Sequence, residues 1–503
     1  MRHRPACAPL TWASAIASLA CFGLACGGDD GSSRLVDARA PVVDADAKRA
    51  TADASSDTRT AARDATVVDS TTDADASART DGPADDKTDA RVDAVVPVDA
   101  VGDAVPFVDA PYPAFAYEVP QVENRGGPVL TNALFVPVVF PGETLSQPIE
   151  VFMSAVGGSQ YWASIGTEYG VGPATSVAPV SVTAAPGPNI TDPGVQSFLA
   201  QAIATDPRFG ALGPSTDAGI SASHPDAAPP ANVVYVLFYP PGTTITATSL
   251  GTSCVDFAGY HGSFVLPNGN GVTYVVIPRC ASLNGLSGID EVTAIASHEL
   301  IESATNPDQN DPAFVGTDID HFAWAFVVGD GEVADMCSVL KDAYAHPAEA
   351  DLSAFTVSRS WSNQAASAGS DPCVPHAPGE GAYFNAVPEA TEVPFVADGQ
   401  SYQTLGTQIA VGQTKTVEVD LASQGPTGGA WSVSLLDYGA AYGNPKVLDL
   451  TLTGATSGVN GDRLTLQITP LVSGRASQDG ISPYFVYSTH GSVSTVWIGA
   501  VTN

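Results

Sequence analysis

Cationic side chains are scarce in this chain: 20 Lys and Arg stand against 54 Asp and Glu, a formal net charge of −34. Nucleic acid and anionic membrane surfaces are bound through basic patches, so both are disfavoured as partners. Cysteine is scarce as well, and after Cys26 only Cys254, Cys280, Cys337 and Cys373 remain. No two of them stand as Cys-x-x-Cys, which argues against a zinc–thiolate knuckle. Beyond the N-terminal region no apolar run approaches the roughly 20 residues of a membrane span. Neither Gly-x-Ser-x-Gly nor Gly-x-Gly-x-x-Gly occurs, so nothing marks a nucleophile elbow or a dinucleotide site.

The first thirty residues carry what the rest lacks. Arg2 and Arg4 precede an apolar stretch from Ala13 to Ala25, the layout of an export signal. Leu24-Ala25-Cys26-Gly27 resembles a bacterial lipobox with Cys26 as the acylated residue, although Gly23 stands three positions before the cysteine where that pattern has Leu. Cys21 is a second candidate, and a cleaved signal without lipid is the alternative. The expected destination is the cell envelope, as an outer-membrane or surface lipoprotein or a secreted protein. Four remaining cysteines, an even number, suit an oxidising compartment. Three pairings satisfy the count, and sequence order favours Cys254–Cys280 with Cys337–Cys373.

With 503 residues the chain is too long for one ordinary domain. Residues 1–26 read as the signal. Residues 27–111 repeat Asp-Ala with almost no aromatics, too polar to offset the entropy of ordering, and read as a disordered acidic tether. Residues 112–384 read as α+β. VLTNALFVPVVFPG, NVVYVLFYPPG and GVTYVVIPRC have the composition of buried strands, and VQSFLAQAIA and the segment before Asn306-Pro307 that of helices. Residues 385–503 hold short alternating runs broken by turns, which suggests an all-β sandwich of immunoglobulin-like size serving as a spacer, packing or binding module.

The chemistry lies in AIASHELIESATNPDQND (294–311). Ser287 and the acids Asp290 and Glu291 suggest a helix start, and Asn306-Pro307 a stop. On that helix His298 and Glu302, four residues apart, point the same way with Glu299 beside them. No Lys or Arg occurs from 281 to 312, so a metal cation would relieve the carboxylate crowding. In zinc peptidases two His at this spacing bind zinc and the Glu between them takes a proton from zinc-bound water. By that analogy His298 and Glu302 are metal ligands and Glu299 the general base. A third ligand is expected downstream at Glu332, with Asp335 orienting His298; Asp318, Asp320 and His321 compete for the ligand role. Zn2+ is the first expectation, with Ca2+ or Mn2+ as alternatives for so carboxylate-rich a set. A plain helix with an acidic cluster is the bland alternative.

The ordered segments PVLTNALFVPVVFPG, QYWASIGTEYGVG, TSCVDFAGYHGSF, SHELIESATNPD, EVADMC and FTVSRSWSNQ, over roughly residues 128–375, resemble secreted bacterial relatives of the exordium (phosphate-induced protein) family. The resemblance implies an extracellular, disulfide-bonded, zincin-like domain with peptidase potential, without requiring catalysis. It also raises His261, in GYHGSF, as a cleft residue; capping a turn near Cys254 is its other reading. The functional expectation is a monomeric metal-dependent hydrolase acting on peptide or protein and held at the envelope through Cys26. The alternative is a non-catalytic surface-binding protein with a structural metal site.

Overall fold

The computed structural model describes residues 111–210, 232–329, 331–376, 380–397, 400–472 and 480–503. The export signal, Cys26 and residues 27–110 lie outside the described residues. What is described is mixed α+β, mostly strand. Among the described residues no helix is long and apolar enough to cross a membrane.

The three apolar runs form the heart of a mixed sheet. Strands β1 (Leu134–Val139), β2 (Val233–Phe238) and β4 (Gly271–Ile277) run parallel, in the order β1-β2-β4. β3 (Tyr260–Val265) pairs antiparallel with β4 at one edge, and short strands Thr175–Ser176 and Val180–Ser181 flank β1. Both faces are covered, which is why these strands read as continuous rather than alternating apolar runs. Val234, Val236, Phe238, Val275 and Ile277 face one hydrophobic cluster, and Tyr235, Leu237, Tyr274 and Val276 face the other.

Helix α3 (Asp192–Thr205) covers the second face, started by Thr191, whose side chain accepts the Gly194 N–H. The first face holds α1 (Ser146–Val156), α2 (Gln160–Gly166) and α4 (Ile289–Thr305). All residues of α4 from Glu291 to Thr305 are buried. A helix enclosed on every side shows little amphipathic contrast, so its polar residues need internal partners or a bound ion. The start expected at Ser287 is instead capped by Gly288, at φ 63°, with no side-chain cap; such a backbone suits glycine. Asp290 and Glu291 do occupy the first turn.

From residue 384 onward the chain builds two sheets. One has four strands in the order β5 (Phe384–Pro388), β8 (Lys415–Ser423), β11 (Arg463–Pro470), β10 (Leu448–Thr453). The other runs β6 (Thr391–Ala397), β7 (Gln400–Gln408), β13 (Val493–Thr502), β12 (Ile481–His490), β9 (Trp431–Asp437) and a short strand, Ser457–Gly458. Val417, Val419 and Leu421 alternate inward on β8, as do Leu464, Leu466 and Ile468 on β11. Their core is continuous with the cluster around α4. Trp324 meets Trp361 and Trp497 at 5.6 and 6.0 Å, Phe322 stacks on Phe395 at 4.5 Å, and Thr404 Oγ1 donates to the Asp320 carbonyl. The C-terminal sheets therefore brace the segment from 318 to 342.

Two disulfides tie this arrangement, Cys254–Cys280 and Cys337–Cys373, as suits an oxidising compartment. The second fixes α5 (Asp335–Ser338), while Trp361 N–H donates to the Val333 carbonyl nearby. The bond spans 36 residues of sequence, and closing such a loop in the unfolded chain is worth about 4 kcal/mol. The double substitution Cys337→Ser, Cys373→Ser is expected to cost about 3–4 kcal/mol of unfolding free energy, read from urea denaturation.

Candidate metal centre

One stretch of α4 supplies half of the centre. His298 and Glu302 sit one helical turn apart, with His298 Nε2 3.2 Å from Glu302 Oε1. Asp335, at the start of α5, brings its Oδ1 to 3.3 Å from the same nitrogen, and its backbone N–H donates to Glu302 Oε1 at 3.1 Å. The other nitrogen of His298 lies 3.4 Å from Ser358 Oγ, whose backbone N–H in turn donates to Ser297 Oγ.

The sheet edge supplies the rest. Tyr260 and Phe264 on β3 pack into the cluster behind the sheet, so by strand alternation His261 and Ser263 point toward α4. His261 Nδ1 lies 3.5 Å from Glu299 Oε2 and 3.8 Å from Glu302 Oε2. Its Nε2 lies 3.2 Å from the Asn306 carbonyl and 3.5 Å from Glu332 Oε1. Asn306 Nδ2 donates to Glu332 Oε1, and Asn306 Oδ1 accepts the Ala313 N–H. Gly259 lets β3 approach the helix: a Cβ there would lie 2.4 Å from Ile295 Cγ2 and 3.1 Å from Glu299 Oε1.

Six ionisable groups thus converge. His298, Glu299 and Glu302 have no exposed surface, Asp335 has 1 %, His261 4 % and Glu332 5 %. Among the described residues no Lys or Arg makes an ion pair with any of them. The protonation balance shows the crowding. Burial disfavours a charged imidazole, yet Glu332, Glu299 and Glu302 together raise His261 to about 10. Burial likewise opposes charge on His298, but Glu302, Asp335 and Glu299 hold it well above its ordinary range. Burial pushes Asp335 up to about 8 with help from Glu302. It also raises Glu299, and it raises Glu332 well beyond the carboxylate range. Glu302 alone moves down, because His298 and His261 outweigh its burial.

The donor set fits a divalent ion. His298 Nε2, both oxygens of Glu299, Glu302 Oε2 and both oxygens of Asp335 are buried without a hydrogen bond, and each such orphan costs about 1–3 kcal/mol. The separations between facing atoms run from 3.2 to 3.8 Å, at or beyond the long end of hydrogen bonds. They match the roughly 3.4 Å between two ligands each about 2.1 Å from a tetrahedral ion. Two groups have all their ligand atoms within 4.8 Å of one another: His298, Glu302, Asp335 and His261, Glu299, Glu302.

The sequence-derived candidates are placed as follows. His298, Glu299, Glu302, Glu332 and Asp335 all reach the centre. Asp335 faces His298 Nε2, while Glu332 faces His261. His261 lies in strand β3 rather than capping a turn. Asp318, Asp320 and His321 are elsewhere: Asp318 Oδ1 pairs with His321 Nδ1 at 2.6 Å, His321 Nε2 meets the Glu118 carbonyl, and Asp320 belongs to neither group. Asn306, Ser358 and Gly259 position the centre without any short-range sequence signal of that role.

A carboxyl or imidazole with a raised folded-state pKa stabilises the fold fully below its unfolded value, near about 4 for Asp and about 6.5 for His. That stability is lost as pH rises through the folded values, about 8 for Asp335 and about 10 for His261. A bound metal needs the deprotonated ligands, so its contribution runs the other way. In EDTA the melting temperature is expected to fall from about pH 5 to about pH 9, and the added stabilisation by Zn2+ to grow over that range. Thermal melts in both conditions across pH check this; parallel curves would remove the metal.

No protein-family model matches the chain, and no curated protein sequence matches it either.

Proposed function

We propose that this chain is a metal-dependent hydrolase of peptide bonds, with His298, Glu302 and Asp335 holding the ion and Glu299 moving the proton. The observation that carries this reading is the state of Glu299, a carboxylate with no exposed surface and neither oxygen hydrogen-bonded. A merely structural helix would gain by replacing it with an apolar residue. Zn2+ is the ion first expected, with Mn2+ or Ca2+ as alternatives; when bound it supplies a polarised water and a Lewis acid for the carbonyl.

The protein's own contribution is positional. Ser358 and the Asp335 backbone N–H orient His298 and Glu302, as the surroundings of metal ligands do. Burial raises the proton affinity of Glu299, which suits a group that takes a proton and returns it. The segment after α4 is held against β3 by the Asn306 carbonyl at His261 and by Asp308 at Ser263. Residues 112–384 are read here as zincin-like, in keeping with the resemblance to exordium-related proteins, and 385–503 as an immunoglobulin-like sandwich. Export, acylation of Cys26 and an acidic tether would set a monomer at the cell surface facing peptide substrates.

Burial of all six groups favours a second reading, a structural ion in a non-catalytic surface-binding protein. The two readings part on variants. Glu299→Gln is expected to keep the ion of the His298 group and to lose at least about 100-fold in chelator-sensitive peptidase activity. His298→Ala is expected to lose both that ion and the activity. Elemental analysis with a casein-type protease assay reads both, and full activity in Glu299→Gln would sink the enzyme.

A further inference from the structure

We infer that the centre is built for two divalent ions bridged by the Glu302 carboxylate, one held by His298, Glu302 and Asp335 and the other by His261, Glu299 and Glu302. This rests on the metal reading of the His298 group and adds a position beside it.

The two oxygens of Glu302 are turned to different histidines: Oε1 toward His298 Nε2 at 3.2 Å and Oε2 toward His261 Nδ1 at 3.8 Å. Each imidazole offers one nitrogen inward and has the other held from outside. His261 Nε2 is held by the Asn306 carbonyl at 3.2 Å, and His298 Nδ1 lies 3.4 Å from Ser358 Oγ. That is the arrangement expected of metal-bound histidine, whose second nitrogen donates to a neighbour and fixes the ring. A centre with one ion needs only one of the two.

Charge points the same way. Glu299, Glu302 and Asp335, the three carboxylates assigned to the two ions, are fully or almost fully buried, and among the described residues no Lys or Arg pairs with them. Oε2 of Glu299, 3.5 Å from His261 Nδ1, completes the second position and leaves the unpartnered Oε1 to move the proton in the hydrolase reading. Gly259 leaves room for that carboxylate, since a Cβ there would lie 3.1 Å from its Oε1. Imidazole with carboxylates suits Zn2+ or Mn2+. Glu332, 3.5 Å from His261 Nε2, orients the ring from behind rather than binding the second ion.

The test uses the full-length chain, stripped with chelator, reloaded with Zn2+ alone, passed through a desalting column and analysed for metal content. Two equivalents are expected in the wild type, and one each in His261→Ala and Glu299→Gln. Two equivalents that do not fall in those variants come from elsewhere, such as the acidic tether, and overturn the inference. One equivalent in the wild type, lost in His298→Ala but kept in His261→Ala, overturns the second position and leaves the first intact. No stoichiometric metal ends both. Should a variant fail to fold, the wild type loaded with Mn2+ decides by electron paramagnetic resonance. A spin-coupled pair is expected of ions about 3.5–4 Å apart, and two independent signals overturn the bridge.

Discussion

Removing four carboxylates from water is the constraint around which the rest of this structure is arranged. Elsewhere the protein meets it with a cation. Arg359, 1 % exposed, is held by Asp342, Asp371 and Glu380 and by the Cys373 carbonyl, a buried charge with its partners in place. At the centre on α4 the same fold buries Glu299, Glu302, Glu332 and Asp335 with two imidazoles and, among the described residues, no paired Lys or Arg. Within one molecule, one buried acidic cluster is paired with an arginine and the other only with histidines.

Everything around that cluster serves to hold parts that are far apart in sequence. The parallel strands give α4 a flat apolar bed, and the antiparallel edge strand β3 turns His261 toward it. The Cys337–Cys373 disulfide fixes α5, and the C-terminal sheets pack through Phe395, Thr404 and Trp497 on the segment that carries Glu332 and Asp335. The two C-terminal sheets are thus part of the support for the centre. A cluster whose members come from a helix, an edge strand and a short second helix depends on all three being held in place.

Much of this was legible in the residues. The strands at 134–139, 233–238 and 271–277 announce themselves by apolar β-branched runs bounded by Gly and Pro. Helix α4 shows its acidic first turn and its stop at Asn306-Pro307, and i,i+4 spacing places His298 beside Glu302. The cap at Gly288 was not legible, since Ser287 offers the commoner signal one residue earlier. Asp335 was expected to orient His298 and Glu332 to be the ligand; the path of the chain into α5 instead brings Asp335 to the nitrogen that faces Glu302 and Glu332 to His261.

The sequence by itself determined the chemistry on offer, because residue type and helical periodicity are local: a His-Glu-x-x-Glu helix without cations, four late cysteines and an α+β pattern followed by strands. Tertiary structure decided which distant groups join it. His261, 37 residues before His298 and on a different element, was a residue of two readings until β3 folded along the edge of the sheet. Asp318, Asp320 and His321 competed with Glu332 for the ligand role, yet Asp318 and His321 pair with each other and none of the three joins the groups around α4. Convergence of side chains is a property of long-range packing, and no spacing along the chain encodes it.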